Sequence, residues 1–251
     1  MSGHSKWATT KHKKAAADAK KGKIFTKLIR EITVAAREGG GHPETNPKLR
    51  LALERAREAN MPGENVDRAI KKGTGELPGV SYEEVVYEGY GPGGVAILVE
   101  ALTDNKNRAS SEVRNIFSKK GGSMAGSGSV SWIFKMKGYF LVDRGGVDEE
   151  KLMDIVLEKG AEDMKTEGNV YEITCDPKGF EAVRKALEQH KVKIQTAEIT
   201  KLPTSSVKVA GETAKQVLQL VELLEDHDDV QNVYANFDIP DEILHAAAKE
   251  G

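Results

Sequence analysis

Cysteine is nearly absent from this 251-residue chain, and its one thiol, Cys175, has no second cysteine for an internal disulfide and no companions for a cysteine-based zinc site. No run of eighteen apolar residues occurs and the opening lacks a basic-then-apolar leader, so no membrane partner is expected and a cytoplasmic location is. The six histidines, His4, His12, His42, His190, His227 and His245, are scattered, and no His-Glu-x-x-His pair is present, so no metal site is expected. Nor is there a phosphate-binding loop. "GYGPGG" joins two predicted strands where a dinucleotide fingerprint has to open a helix, and "GGSMAG" with Ser127 lacks the lysine such a loop needs. Cys175 sits between a strand and Asp176-Pro177 with no histidine near it in sequence, as expected of a small buried apolar residue. His227, between Asp226 and Asp228, is accounted for by an acidic helix end. No catalytic residue, cofactor or small-molecule substrate is therefore expected, and no coiled-coil seam suggests an oligomeric state.

What the chain does have is charge, unevenly placed. The whole carries 37 basic and 39 acidic residues, but residues 1–75 hold 17 basic against 8 acidic, net +9, leaving 20 against 31, net −11, for the remainder. On net charge alone, a polyanion is attracted to the first part and repelled by the second. Lys6, Lys11, Lys13, Lys14, Lys20, Lys21, Lys23, Lys27 and Arg30 place nine cations within twenty-five positions, and Trp7 is available to stack on a base or to dock the segment. These ten residues are the candidate nucleic-acid contacts. Lysines position a phosphate backbone without specifying a sequence.

Residues 1–22 have too little apolar surface to order a backbone and are expected to form a mobile arm. From Lys23 the spacing of Ile24, Leu28, Ile32 and Ala35 predicts a helix that stops at Gly39-Gly40-Gly41 and leaves Lys27 and Arg30 in water. Asn46-Pro47 caps a second helix, and Pro62 opens a third that ends at Gly73. After the linker "GTGELPG" the period becomes extended. Residues 82–89 and 94–102 read as a hairpin, "DNKNRASSEVRNIFSKKGG" as a capped helix and "SVSWIF" as a third strand. Residues 137–200 run β-α-β-β-α-β, the ferredoxin-like order, and a helix at 211–226 with a strand at 230–237 completes the interrupted unit before it.

The expected fold class is therefore multidomain α+β: an N-terminal helical bundle plus two α/β-sandwich domains, one an inserted ferredoxin-like unit. The expected division is 1–78 for arm and bundle, 79–135 plus 203–240 for a discontinuous domain, 136–202 for the insertion and 241–251 for a tail.

Three stretches carry a resemblance. The opening "MSGHSKWATTKHKKAAADAKKGKIFTKLIREITVAAREGG", the block "NPKLRLALERAREANMPGENVDRAIKKGTGE", and "YEGYGPGGVAILVEALTDNKNRASSEVRNIFSKKGG" with "GSVSWIF" closely resemble the YebC/PmpR family of probable transcriptional regulators. Met124-Ala125 stands where that family's pattern leads one to expect leucine-glycine. The resemblance implies three domains, no cofactor, DNA binding and transcriptional control. The mitochondrial relative, a translational activator of cytochrome c oxidase, implies the alternative of a ribosome-associated factor gripping ribosomal RNA.

Overall fold

The computed structural model describes residues 18–145, 147–240 and 242–244. Chain order begins with α1 (Asp18–Gly39), α2 (Pro47–Glu58) and α3 (Gly63–Thr74). Helix α1 starts five residues before the expected Lys23, so residues 18–22 of the expected arm are helical, while residues 1–17 lie outside the described part. Alanine and lysine are good helix formers, and once the apolar turns beyond Lys23 pack, extending the helix backward needs no apolar face. Gly40, at φ +83°, ends α1. Asn46 ties α1 to α2: its Oδ1 accepts from Leu49 N at 3.1 Å, and its Nδ2 donates to Ala35 O at 2.7 Å and Gly40 O at 2.9 Å. Leu28, Ile32, Ala35, Leu49, Ala52, Ala56 and Ala69 form the bundle core. Helices α1 and α3 cross so closely at Gly73 that a Cβ there would lie 2.5 Å from Thr33 O.

The chain then builds β1 (Glu83–Tyr90), β2 (Ala96–Thr103), α4 (Lys106–Lys119, capped by Asn105) and the short β3 (Ser123–Ala125). The expected third strand, "SVSWIF", is corrected here. Ser131–Ile133 is a 3-10 turn, and the strand that pairs with β1 is β3, Glu88 opposite Ala125 through Tyr90 opposite Ser123. Val130, Ile133 and Phe134 are all buried although they do not alternate, because this corner packs with Ala96 and Leu98 of β2 where the chain leaves one sheet for the next.

Next come β4 (Phe134–Asp143), α5 (Glu149–Glu158), β5 (Ala161–Glu167), β6 (Val170–Cys175), α6 (Phe180–Gln189) and β7 (Ile194–Pro203). Their sheet order, β5-β6-β4-β7 with every neighbour antiparallel, is the ferredoxin-like arrangement. Phe140, Val142, Ile173, Leu152, Val156, Val183 and Leu187 fill the space between this sheet and its two helices. Cys175 is fully buried in the same core.

The chain returns through β8 (Val207–Lys208) to α7 (Gly211–Glu225), β9 (Val230–Ala235) and β10 (Phe237–Asp238). β9 pairs with β2, giving the order β3-β1-β2-β9, so the ferredoxin-like unit is an insertion within this other sheet's chain path. Helices α4 and α7 cover one face, burying Val113, Phe117, Val217, Leu220 and Leu224 against Ile97, Val99 and Val233. No helix among the described residues is long and apolar enough to cross a membrane.

The insertion closes its own core, so residues 134–203 expressed alone should unfold cooperatively in denaturant. A broad, non-cooperative loss of its far-ultraviolet signal would show that it needs the surrounding domain.

Candidate nucleic-acid interface

On a helix, residues three and four apart stack on one stripe. Lys23, Lys27 and Arg30 do so along α1, beside the apolar stripe that packs into the bundle. Lys6, Trp7, Lys11, Lys13 and Lys14 lie outside the described residues, and of Lys20 only the helical backbone is described. Lys21 is exposed.

The stripe does not stay in water as expected for Lys27 and Arg30. It faces the C-terminal end of α7, where a helix leaves its last carbonyls unbonded and carries the negative end of its dipole. Lys23 Nζ lies 3.4 Å from Asp226 O and 3.7 Å from its Oδ2. Lys27 Nζ donates to Glu225 O at 2.6 Å. Arg30 Nη1 donates to Asp228 O at 2.7 Å, Leu102 O at 3.3 Å and Asp229 Oδ1 at 2.5 Å. Its guanidinium also lies 5.4 Å from the centroid of the Tyr82 ring.

The Arg30–Asp229 pair is the sheltered part of this contact, with side chains 13% and 3% exposed. Asp229 also accepts from Thr103 Oγ1 at 2.8 Å and Arg108 Nη2 at 2.7 Å, while its backbone carbonyl accepts from Leu102 N. Burial pushes its carboxyl up, but hydrogen bonds from Arg108, Thr103 and Arg30, with the Arg30 charge, outweigh that and hold it below the ordinary carboxylate value. The same hydrogen bond to Asp229 raises Arg108. Farther along α1, Arg37 donates to Ser81 Oγ at 2.6 Å and to Val80 O at 3.2 Å, fastening the linker.

The acidic helix end at Asp226-His227-Asp228 is legible in the sequence, but its pairing with the α1 stripe is not. The acidic run Glu225-Asp226-His227-Asp228-Asp229 is the complement of the α1 stripe, and the opposite net charges of the two parts of the chain were the available signal. His227 takes part too: Nδ1 accepts from Asp229 N at 3.1 Å, which assigns the ring proton to Nε2, 2.9 Å from Glu112 Oε2. Cys175, which burial pushes up, has a thiol poorly suited to form a thiolate.

Comparison with known proteins gives consistent matches. The family model described as the TACO1/YebC protein N-terminal domain matches residues 5–76, and that described as the TACO1/YebC second and third domain matches residues 82–237. A "probable transcriptional regulatory protein" of Dictyoglomus turgidum is 58% identical over 247 residues, covering 98% of this chain and 99% of the relative. One of the same name from Halothermothrix orenii is 56% identical over 253 residues and covers both chains fully. The crystal structure of a conserved hypothetical protein from Aquifex aeolicus superposes with a TM-score of 0.77 at 53% identity, over 90% of this chain and 94% of that one.

Removing one partner of a buried ion pair leaves an uncompensated charge. Asp229→Ala should therefore lower unfolding stability at neutral pH by about 3–5 kcal/mol. Because the folded carboxyl sits below its unfolded value of about 3.9, its contribution is fully present above that pH and is lost as pH falls through the depressed value. Asp229→Asn should thus be less stable than the parent at pH 7 and converge with it in strong acid. Equal stability of parent and Asp229→Ala at pH 7 in urea titrations would show that the junction does not hold the domains.

Proposed function

The chain belongs to the TACO1/YebC family, and from that membership we propose that it is a non-enzymatic regulator of gene expression that grips nucleic acid, DNA in the first instance, through its basic N-terminal segment. The observation that carries this reading is the charge division, net +9 over residues 1–75 against −11 elsewhere. Since Lys23, Lys27 and Arg30 turn toward α7, phosphate contact falls to Lys6, Lys11, Lys13, Lys14 and Lys20, with Trp7 among them. Absence of catalysis is supported by the buried Cys175 and the engaged His227. No group of three or more His, Cys, Asp or Glu among the described residues is placed to hold a metal ion.

Ribosomal RNA offers the same phosphate charge, so lysines alone do not choose between the two targets. Binding to duplex DNA and to a ribosomal RNA fragment should each weaken linearly on a log–log plot against salt. The slope is about −0.9 per phosphate contact on duplex, or about −4.5 if all five of these lysines engage. Replacing Lys11, Lys13 and Lys14 together by glutamine should flatten the duplex slope by about 2.7 and leave thermal stability unchanged. A chain lacking residues 1–17 that binds both targets as tightly as the full chain, with the same slope, would refute the assignment.

A further inference from the structure

Trp132 is the most exposed large apolar side chain among the described residues, 69% accessible, yet its ring is held in place. Its Nε1 donates to Ser129 O at 3.1 Å, and Tyr90 Oη donates to the same carbonyl at 3.1 Å. The loop carrying both contacts is anchored by Glu88, whose carboxylate accepts from the backbone N–H groups of Gly128 at 2.7 Å, Val130 at 2.6 Å and Ser131 at 2.8 Å. Glu88 is 4% exposed. Burial pushes its carboxyl up, but the three amides more than reverse that and keep it ionised. A buried carboxylate with three charge-assisted bonds thus fixes the loop that presents an indole to solvent, a rigid aromatic anchor of the kind binding surfaces use.

A cavity lies a few residues farther along the chain. Phe140 and Val142 of β4, and Tyr171, Ile173 and Cys175 of β6, point toward α5 and α6. By the pleat, Lys135, Lys137 and Thr174 therefore lie on the opposite sheet face. There they line a cavity of about 380 Å³ with Lys165, Thr204, Ser205 and Ser206, and Glu172 is the one acid in its wall. Thr204 ties the cavity to the platform, donating from N at 2.8 Å and from Oγ1 at 3.0 Å to Ile133 O, the carbonyl next to Trp132. Lys165 pairs at the surface with Asp163, an interaction weak enough to exchange for a phosphate, and Lys137 pairs with Glu162. From Trp132 to Lys135 is three residues, at most about 10 Å of chain. A single strand, whose nucleotides are about 3.4 Å apart when stacked and farther apart when unstacked, covers that span within two or three nucleotides.

We propose that Trp132 and the Lys135–Lys137–Lys165 cavity form a second nucleic-acid site, separate from the N-terminal segment, that takes an unstacked base on the indole and an adjoining phosphate in the cavity. It rests on the nucleic-acid reading above and deepens it. The site selects single strands, because a duplex hides the base faces that an aromatic ring stacks on.

The chain has two tryptophans, Trp7 and Trp132, so Trp7→Phe leaves Trp132 as the sole indole. This variant is titrated with a ten-nucleotide oligouridylate, an oligothymidylate of equal length and duplex RNA at equal phosphate concentration. Indole emission is read beside the anisotropy of the labelled oligonucleotide. The expected result is saturable quenching by a single strand and none by bound duplex, with the ribose and deoxyribose arms showing which strand is preferred. Trp132→Ala should weaken single-strand binding by roughly tenfold, and Lys135→Gln with Lys137→Gln should reduce its salt slope by about 1.4. Single-strand binding without any change in Trp132 emission overturns this site and leaves the N-terminal reading standing. No binding of any probe overturns both. A concentration-dependent blue shift without nucleic acid would assign the patch to a second copy of the chain and overturn the site as well.

Discussion

The Asp229 carboxylate is where the separate parts of this molecule become one. It lies in the connection from α7 to β9 and takes hydrogen bonds from Thr103 at the end of β2, Arg108 in the first turn of α4 and Arg30 in the middle of α1. Taken alone, a carboxylate removed from water is unfavourable by several kcal/mol. Here one arginine comes from the bundle and another from the sheet domain, so the ion is stable only when both are docked. The exposed Lys23–Asp226 pair adds little by itself. Together with Lys27 on Glu225 O, it extends the contact along the end of α7.

Much of this architecture could be read locally. Asn46-Pro47 and the start of "DNKNRASSEVRNIFSKKGG" announce helix starts because a side-chain acceptor before a helical stripe satisfies orphan amides; Asn46 caps as expected, and the cap of the second is Asn105. The ferredoxin-like unit was legible from element order alone, since short connections leave few ways to arrange β-α-β-β-α-β. The corner at Val130–Phe134 was not legible as a strand or a turn: it is apolar because it fills the seam between two sheets, and a seam imposes no period. Asp18–Gly22 reads as arm because it carries no apolar spacing, whereas alanine and lysine extend a helix already begun.

The candidate site was legible as composition and illegible as geometry. The basic N-terminal segment stands out in any count of charges. That three of its cations turn inward depends on acceptors 198 to 203 positions away, for which no local pattern exists. Glu88 and Trp132 were hidden for the same reason. An acidic residue in a strand and a tryptophan in an apolar run are ordinary in sequence, and only the folded loop shows that one holds the other in place.

The cations of the N-terminal segment divide into an inner set that fastens α1 to the end of α7 and an outer set proposed to meet phosphate, and on that proposal the two do not exchange. Hydrogen exchange at the amides of residues 225–230 and at Leu102, whose N–H is bonded to Asp229 O, tests this most directly. The measurement is made with and without nucleic acid at concentrations where anisotropy shows saturation. The account predicts that these amides keep the same protection in both states. Faster exchange there on binding would contradict it, because phosphate would then have drawn Lys23, Lys27 and Arg30 away from α7.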